Sequence, residues 1–152
     1  MAAQTLHKPL SESLVVHTDG GSRGNPGPAA TGVVVYDGDG RQVHAFGTHI
    51  GVATNNVAEY TAVLHALNYL TTLLPHYPTT PLIFKLDSKL VVEQLSGRWK
   101  IKDPNLASLA AQIRSLITNH FPLTTFSHIP RSQNAAADTQ VNLALDAASL
   151  LQ

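Results

Sequence analysis

The chain has 152 residues, 43% of them hydrophobic, and its ten Lys and Arg balance ten Asp and Glu. That length lies within the range of about 100–200 residues for one domain, and the apolar fraction supports a core without disulfides or a structural metal cluster. The absence of cysteine excludes a disulfide scaffold, a Cys-ligated zinc site, an iron–sulfur cluster and a thiol nucleophile. Charge balance means that no overall basic field draws in polyanions, so any polyanion site has to be local. No apolar run approaches the roughly 20 residues of a membrane span, and the N-terminus lacks a basic-then-apolar signal pattern. A soluble, cytoplasmic, monomeric domain is the expectation.

Residues 1–12 (MAAQTLHKPLSE) carry no sustained periodicity and read as a flexible leader, leaving 13–150 as one domain. Residues 14–18 read as a short buried strand stopped by Asp19-Gly20-Gly21. The stretch 20–28 (GGSRGNPGP) is too dense in turn formers for a helix or a central strand. A second strand is predicted over 31–36, a hairpin turn at Asp37-Gly38-Asp39-Gly40 and a third strand over 42–50. After Thr54-Asn55-Asn56, helical spacing runs through Tyr60, Val63, Leu64, Leu67, Leu70 and Leu74 until Pro75 and Pro78 end it.

A fourth strand over Leu82–Leu86 leads into a short helix, Lys89–Leu95, then Gly97 and a basic-aromatic loop, Arg98-Trp99-Lys100-Ile101-Lys102. Asp103-Pro104 pairs an N-cap with proline at the first helical position and opens a helix over 105–119. Residues 123–129 form a fifth strand, and an alanine-rich helix closes the chain from 134 to about 150. The order βββαβα(α)βα predicts an α/β fold: a five-stranded mixed sheet flanked by helices, with a hairpin side and a parallel βαβ side.

Four of the ten acidic residues fall near one end of that sheet. Asp19 ends the first strand, Glu59 lies in the first turn of the long helix, Asp87 ends the fourth strand, and Asp138 lies in the first turns of the last helix. With the long helix as their crossover, the first and fourth strands are parallel neighbours. Asp19 and Asp87 then stand side by side, where α/β sheets form ligand sites. Carboxylates that converge without a Lys or Arg partner repel one another, and a divalent cation with oxygen ligands relieves the repulsion. With no soft ligands in the set, Mg²⁺ or Mn²⁺ is the expected metal. Two such ions about 3.5–4 Å apart activate a water and stabilise the leaving oxygen of a phosphodiester.

Taken singly, each acid also has a structural reading. Asp19 suits a turn, Glu59 suits an N-x-x-E capping box with Asn56, Asp87 with Ser88 suits a helix cap, and Asp138 suits the helix dipole. Their grouping at one sheet end favours metal-dependent phosphodiester hydrolysis.

The ordered segments Thr18-Asp19-Gly20-Gly21 with Gly24-Asn25-Pro26-Gly27-Pro28, Thr54-Asn55-Asn56 with Ala58-Glu59, Leu86-Asp87-Ser88, and Ala137-Asp138 resemble the type 1 ribonuclease H family over residues 14–146. The resemblance implies a ribonuclease H-like fold that hydrolyses the RNA strand of RNA/DNA hybrids and leaves 5′-phosphate ends. It also implies two ions held by Asp19, Glu59, Asp87 and Asp138. Gly20, Gly21, Asn25, Asn55 and Asn56 match substrate-contacting positions. Asn amides both donate and accept, as recognition of a 2′-OH requires.

Thr54 and Ser88 match phosphate contacts at helix N-termini. Trp99 and Lys100 stand where family members carry a longer basic protrusion, so the resemblance implies a weaker, more salt-sensitive grip. Arg131 matches a loop position where many members have a catalytic His, with His128 at the strand end as the alternative. An Arg stays protonated near pH 7, which makes its implied role electrostatic or in product release. Gln140 stands where the family usually has an apolar residue. Two rival readings are a related superfamily nuclease acting on other nucleic acid and a non-catalytic hybrid-binding module.

Overall fold

The computed structural model describes residues 13–74 and 79–151. The leader at 1–12 and the helix-ending Pro75 and Pro78 lie outside the described residues. Strands β1 (Leu14–Ser22), β2 (Gly27–Tyr36), β3 (Gln42–Ala53), β4 (Leu82–Leu86) and β5 (Thr124–His128) form one mixed sheet in the order β3-β2-β1-β4-β5. The β1–β2 and β2–β3 pairs are antiparallel, and β1–β4 and β4–β5 are parallel.

Alternation sets the two faces of the sheet. In β4, Leu82, Phe84 and Leu86 are buried while Ile83 and Lys85 are half-buried. Helices α1 (Asn55–Leu73) and α3 (Pro104–His120) cover the first face, and Leu14, Val16, Leu67, Leu70, Phe84 and Ile113 belong to the resulting core. Each such side chain stabilises the fold by about 1.5–3 kcal/mol on burial. Helix α4 (Ala135–Ser149) packs over β2, β3 and β1, where Val141 and Leu145 meet Ala30 in a second, smaller cluster. The short α2 (Lys89–Leu95) follows β4, and a 3-10 turn (Arg131–Gln133) precedes α4.

The structure corrects the reading of the glycine-rich segment. Gly20, Gly21 and Ser22 belong to β1, a central strand, and Gly27 and Pro28 begin β2. Their strand character comes from a non-local ladder, Gly20 with Thr31, Gly21 with Ala30 and Ser22 with Ala29. Gly20 also lets α1 close on β1, since a Cβ there would stand 2.2 Å from the Ala58 carbonyl carbon. Asp19 is therefore inside β1 rather than at its end. The parallel ladder with β4 nevertheless stops at His17–Lys85, so Asp19 and Asp87 leave it in step. Helix α1 is capped by Thr54, whose Oγ1 accepts from the Val57 N–H at 3.2 Å. Asn56 is already helical, so no Asn56–Glu59 capping box forms.

Candidate active site

Beyond the end of the β1–β4 ladder lies an open cleft of about 400 Å³ lined by Asp19, Glu59, Asp87, Asp138, Ser88 and Arg131, among others. Each acid is delivered by a different element: Asp19 by β1, Glu59 by the second turn of α1, Asp87 by the residue after β4, and Asp138 by the first turn of α4. Carboxylate oxygens of Asp19, Glu59 and Asp87 all lie within 4.8 Å of one another. Asp138 shares the cleft from its exposed rim and is not part of that close trio.

Electrostatics follow from this crowding. Burial, with the charges of Asp87 and Asp138 added, raises the Asp19 carboxyl to about 7, against the opposing effect of hydrogen bonds from Glu59 and the Gly20 N–H. Glu59 is also raised, chiefly by burial and then by the negative charge of Asp19. Glu59 Oε2 is buried and has no hydrogen-bond partner among the described residues, an arrangement that costs free energy unless something supplies positive charge. A buried, orphaned acceptor within an all-oxygen donor set fits a hard divalent cation.

The remaining predicted residues divide between the cleft and its surroundings. Gly20, Gly21, Asn55, Asn56, Ser88 and Arg131 line the cleft. Ser88 caps α2, its Oγ accepting from Val91 N–H at 3.3 Å. Asn25 and Asn55 are tied into a loop lattice: Asn25 Oδ1 accepts from the Asn55 N–H at 3.0 Å, and Asn55 Oδ1 accepts from the Ser22 N–H at 2.9 Å and its hydroxyl at 3.0 Å. Both side chains sit on exposed residues, leaving their NH₂ groups as donors.

Thr54 lines a neighbouring hollow with Pro26 and Val52. Trp99 and Lys100 are outside the cleft, on the exposed loop between α2 and α3. Trp99 is 46% exposed, with the Lys89 ammonium 6.0 Å from its ring centre. Arg131 forms no salt bridge among the described residues. His128 lies outside the cleft lining, its Nε2 donating to the Asp87 carbonyl at 3.2 Å.

Two features escaped the sequence reading. Arg23 also lines the cleft and is anchored to Asp146 at 2.7 Å. Asn134, read only as a helix start, is 1% exposed and makes no side-chain cap bond to α4. Composition carried no signal for either role, because both depend on which strand the last helix lies against.

A mixed five-stranded sheet with converging carboxylates at the exit of its central parallel pair defines an α/β scaffold with an acidic centre suited to a divalent cation. Known proteins agree. A family described as reverse transcriptase-like matches residues 17–144. The bifunctional protein Rv2228c of Mycobacterium tuberculosis is 44% identical over 137 residues, covering 90% of this chain and 36% of its own length. Ribonuclease HI of Halobacterium salinarum is 43% identical over 128 residues, covering 84% of this chain and 62% of its own length. The crystal structure of LC11-RNase H1 in complex with an RNA/DNA hybrid superposes with a TM-score of 0.88 at 41% identity, covering 90% of this chain and 99% of that one. The chain belongs to the reverse transcriptase-like family, in its ribonuclease H type 1 branch. It spans between about a third and two thirds of the length of these two curated relatives.

Proposed function

We propose that this chain is a ribonuclease H, hydrolysing the RNA strand of RNA/DNA hybrids to leave 5′-phosphate ends. The observation that carries this reading is the trio Asp19, Glu59 and Asp87, with oxygens within 4.8 Å and Glu59 Oε2 buried without a partner among the described residues. A module that only bound nucleic acid would gain nothing from acids facing phosphates. The hybrid complex of the similar LC11-RNase H1 supports the substrate class.

Asp19, Glu59 and Asp87 would hold the first of two Mg²⁺ or Mn²⁺ ions, and Asp138 would share in the second across the open rim. When bound, such ions lower the pKa of a water and neutralise charge on the leaving oxygen. The chain's own residues supply the rest. Asn25, Asn55 and Asn56 present amides to the hybrid, and the loop lattice that fixes Asn25 and Asn55 lowers the entropy lost on binding. The NH₂ groups left free on Asn25 and Asn55 can donate to a 2′-OH, which deoxyribose lacks. Ser88 offers its hydroxyl at the cleft wall. Arg131, free of an acid partner among the described residues, offers a fixed positive charge to the phosphate or the departing product. Lys89, Trp99 and Lys100 form a small basic-aromatic shelf for the flanking backbone. A cytoplasmic monomer is part of the same proposal.

The test is cleavage of a labelled hybrid, with single-stranded RNA and duplex DNA as controls, in Mg²⁺, Mn²⁺ or chelator. Hybrid-restricted, metal-dependent loss of RNA that disappears in Asp87→Asn is the expected result. Hybrid binding that survives chelator with no cleavage in either metal would leave the binding module standing instead.

A further inference from the structure

Asn134 stands at the N-cap position of α4 but does not cap it. Its side chain turns inward and is 1% exposed. The Nδ2 group donates to the Thr18 carbonyl at 2.9 Å, and Oδ1 lies 3.2 Å from His17 Nδ1. A carbonyl only accepts, so the amide nitrogen must face Thr18 and the amide oxygen must face His17. His17 therefore donates through a proton on Nδ1. The β1–β4 ladder ends at His17–Lys85, and Asn134 ties the next β1 carbonyl to the start of the last helix.

The backbone of the same residue faces the cleft elements. The Asn134 N–H donates to the Arg131 carbonyl at 3.0 Å, closing the 3-10 turn, and its carbonyl accepts the Asp138 N–H at 3.1 Å. One buried residue thus joins the strand residue beside Asp19 to the turn that carries Arg131 and to the helix turn that carries Asp138. His17 is itself braced edge-on against Tyr36, ring centres 5.2 Å apart, which fixes the direction from which it holds the amide.

We propose that His17 and Asn134 act as a positioning pair that sets Asp138 and Arg131 in register with Asp19, His17 working through the orientation of the Asn134 amide. The effect on rate rests on the hydrolase reading above; the effect on backbone order does not. Displacements of about 1 Å at a catalytic group cost on the order of 100-fold in rate.

The test combines kinetics with amide hydrogen exchange on the full chain. Asn134→Ala should lower kcat on the hybrid about 100-fold with KM little changed. His17→Phe, which keeps the ring on Tyr36 but cannot donate, should lower kcat about tenfold. The double variant should match Asn134→Ala alone, because His17 acts through Asn134.

In His17→Phe, exchange at the amides of Asn134 and Asp138 should quicken at least about tenfold while those of α1 stay protected. That arm needs no substrate, so it reports on the pair even if wild type proves inactive on hybrids, an outcome that would overturn only the hydrolase reading. It also stands if Asn134→Ala fails to fold. Unchanged exchange at both amides in His17→Phe, wild-type kcat in that variant, or losses that multiply in the double variant would overturn the pair.

Discussion

Gly32 on β2 and Gly47 on β3 are direct cross-strand partners, and the backbone of α4 lies on both of them. A Cβ on Gly32 would stand 2.2 Å from the Ala137 carbonyl oxygen, and one on Gly47 would stand 2.3 Å from that of Gln140. The glycine pair is a saddle that brings the helix down to the level where Asp138 shares a cleft with Asp19. Gln140 sits over this saddle, its Cβ 3.1 Å from where a Gly32 Cβ would be, so it occupies a contact point between helix and sheet.

Gly32→Ala should therefore lift α4. Overpacking of this kind costs about 1–3 kcal/mol, a fall in Tm of roughly 2–4 °C per kcal/mol at this size. Hybrid cleavage should fall more than tenfold, because Asp138 moves with the helix. Thermal melting and steady-state kinetics on the same sample check it, and an unchanged rate would separate the saddle from the site.

Stability of the metal-free protein should fall as pH rises. Asp19 has its carboxyl raised to about 7, and Glu59 is raised as well. The folded state holds protons that the unfolded chain, with ordinary carboxylates near pKa 4, releases. That contribution is complete below about pH 4 and is lost as pH rises through about 7. In chelator, Tm should drop between about pH 5 and 8, and saturating Mg²⁺ should remove most of the drop by replacing the proton. A Tm that climbs with pH in chelator across this window would contradict the crowded-carboxylate picture.

Asp19→Asn separates function from stability. It keeps an oxygen to accept the Gly20 N–H, which reaches Asp19 Oδ1 at 3.0 Å, and removes one of the converging charges. Cleavage should be lost, while the chelated variant at pH 8 should melt a few degrees above wild type. Isothermal titration with Mg²⁺ should lose most of its heat in the same variant. Equal melting temperatures would mean that the acids do not strain the folded state.

The Lys100 contribution should be purely electrostatic, since the residue lies on the exposed loop outside the cleft. Lys100→Ala should reduce the slope of log K against log salt for hybrid binding by roughly one and leave kcat within about twofold. Fluorescence anisotropy across a salt series reads the slope, and an unchanged slope removes Lys100 from the interface.

The sequence by itself determined the element order, both ends of β4 and α2, the Asp103-Pro104 start of α3, and a set of four acids at one sheet end, of which Asp19, Glu59 and Asp87 form the close trio. Hydrophobic periodicity and capping chemistry are local, and local patterns report local structure. Parallel pairing of β1 with β4 also followed, because a long helix between two strands is the usual crossover.

Tertiary structure decided what depends on partners distant in the chain. Gly20–Ser22 lack side-chain alternation and become strand only because β2 supplies their ladder. Thr54 rather than Asn56 caps α1, a choice between adjacent polar residues made where the chain turns out of β3. Asp138 stays on the rim rather than in the trio, and Asn134 turns away from its own helix toward Thr18 and His17. Those positions depend on how closely α4 can approach the sheet, and the steric room above Gly32 and Gly47 sets that limit.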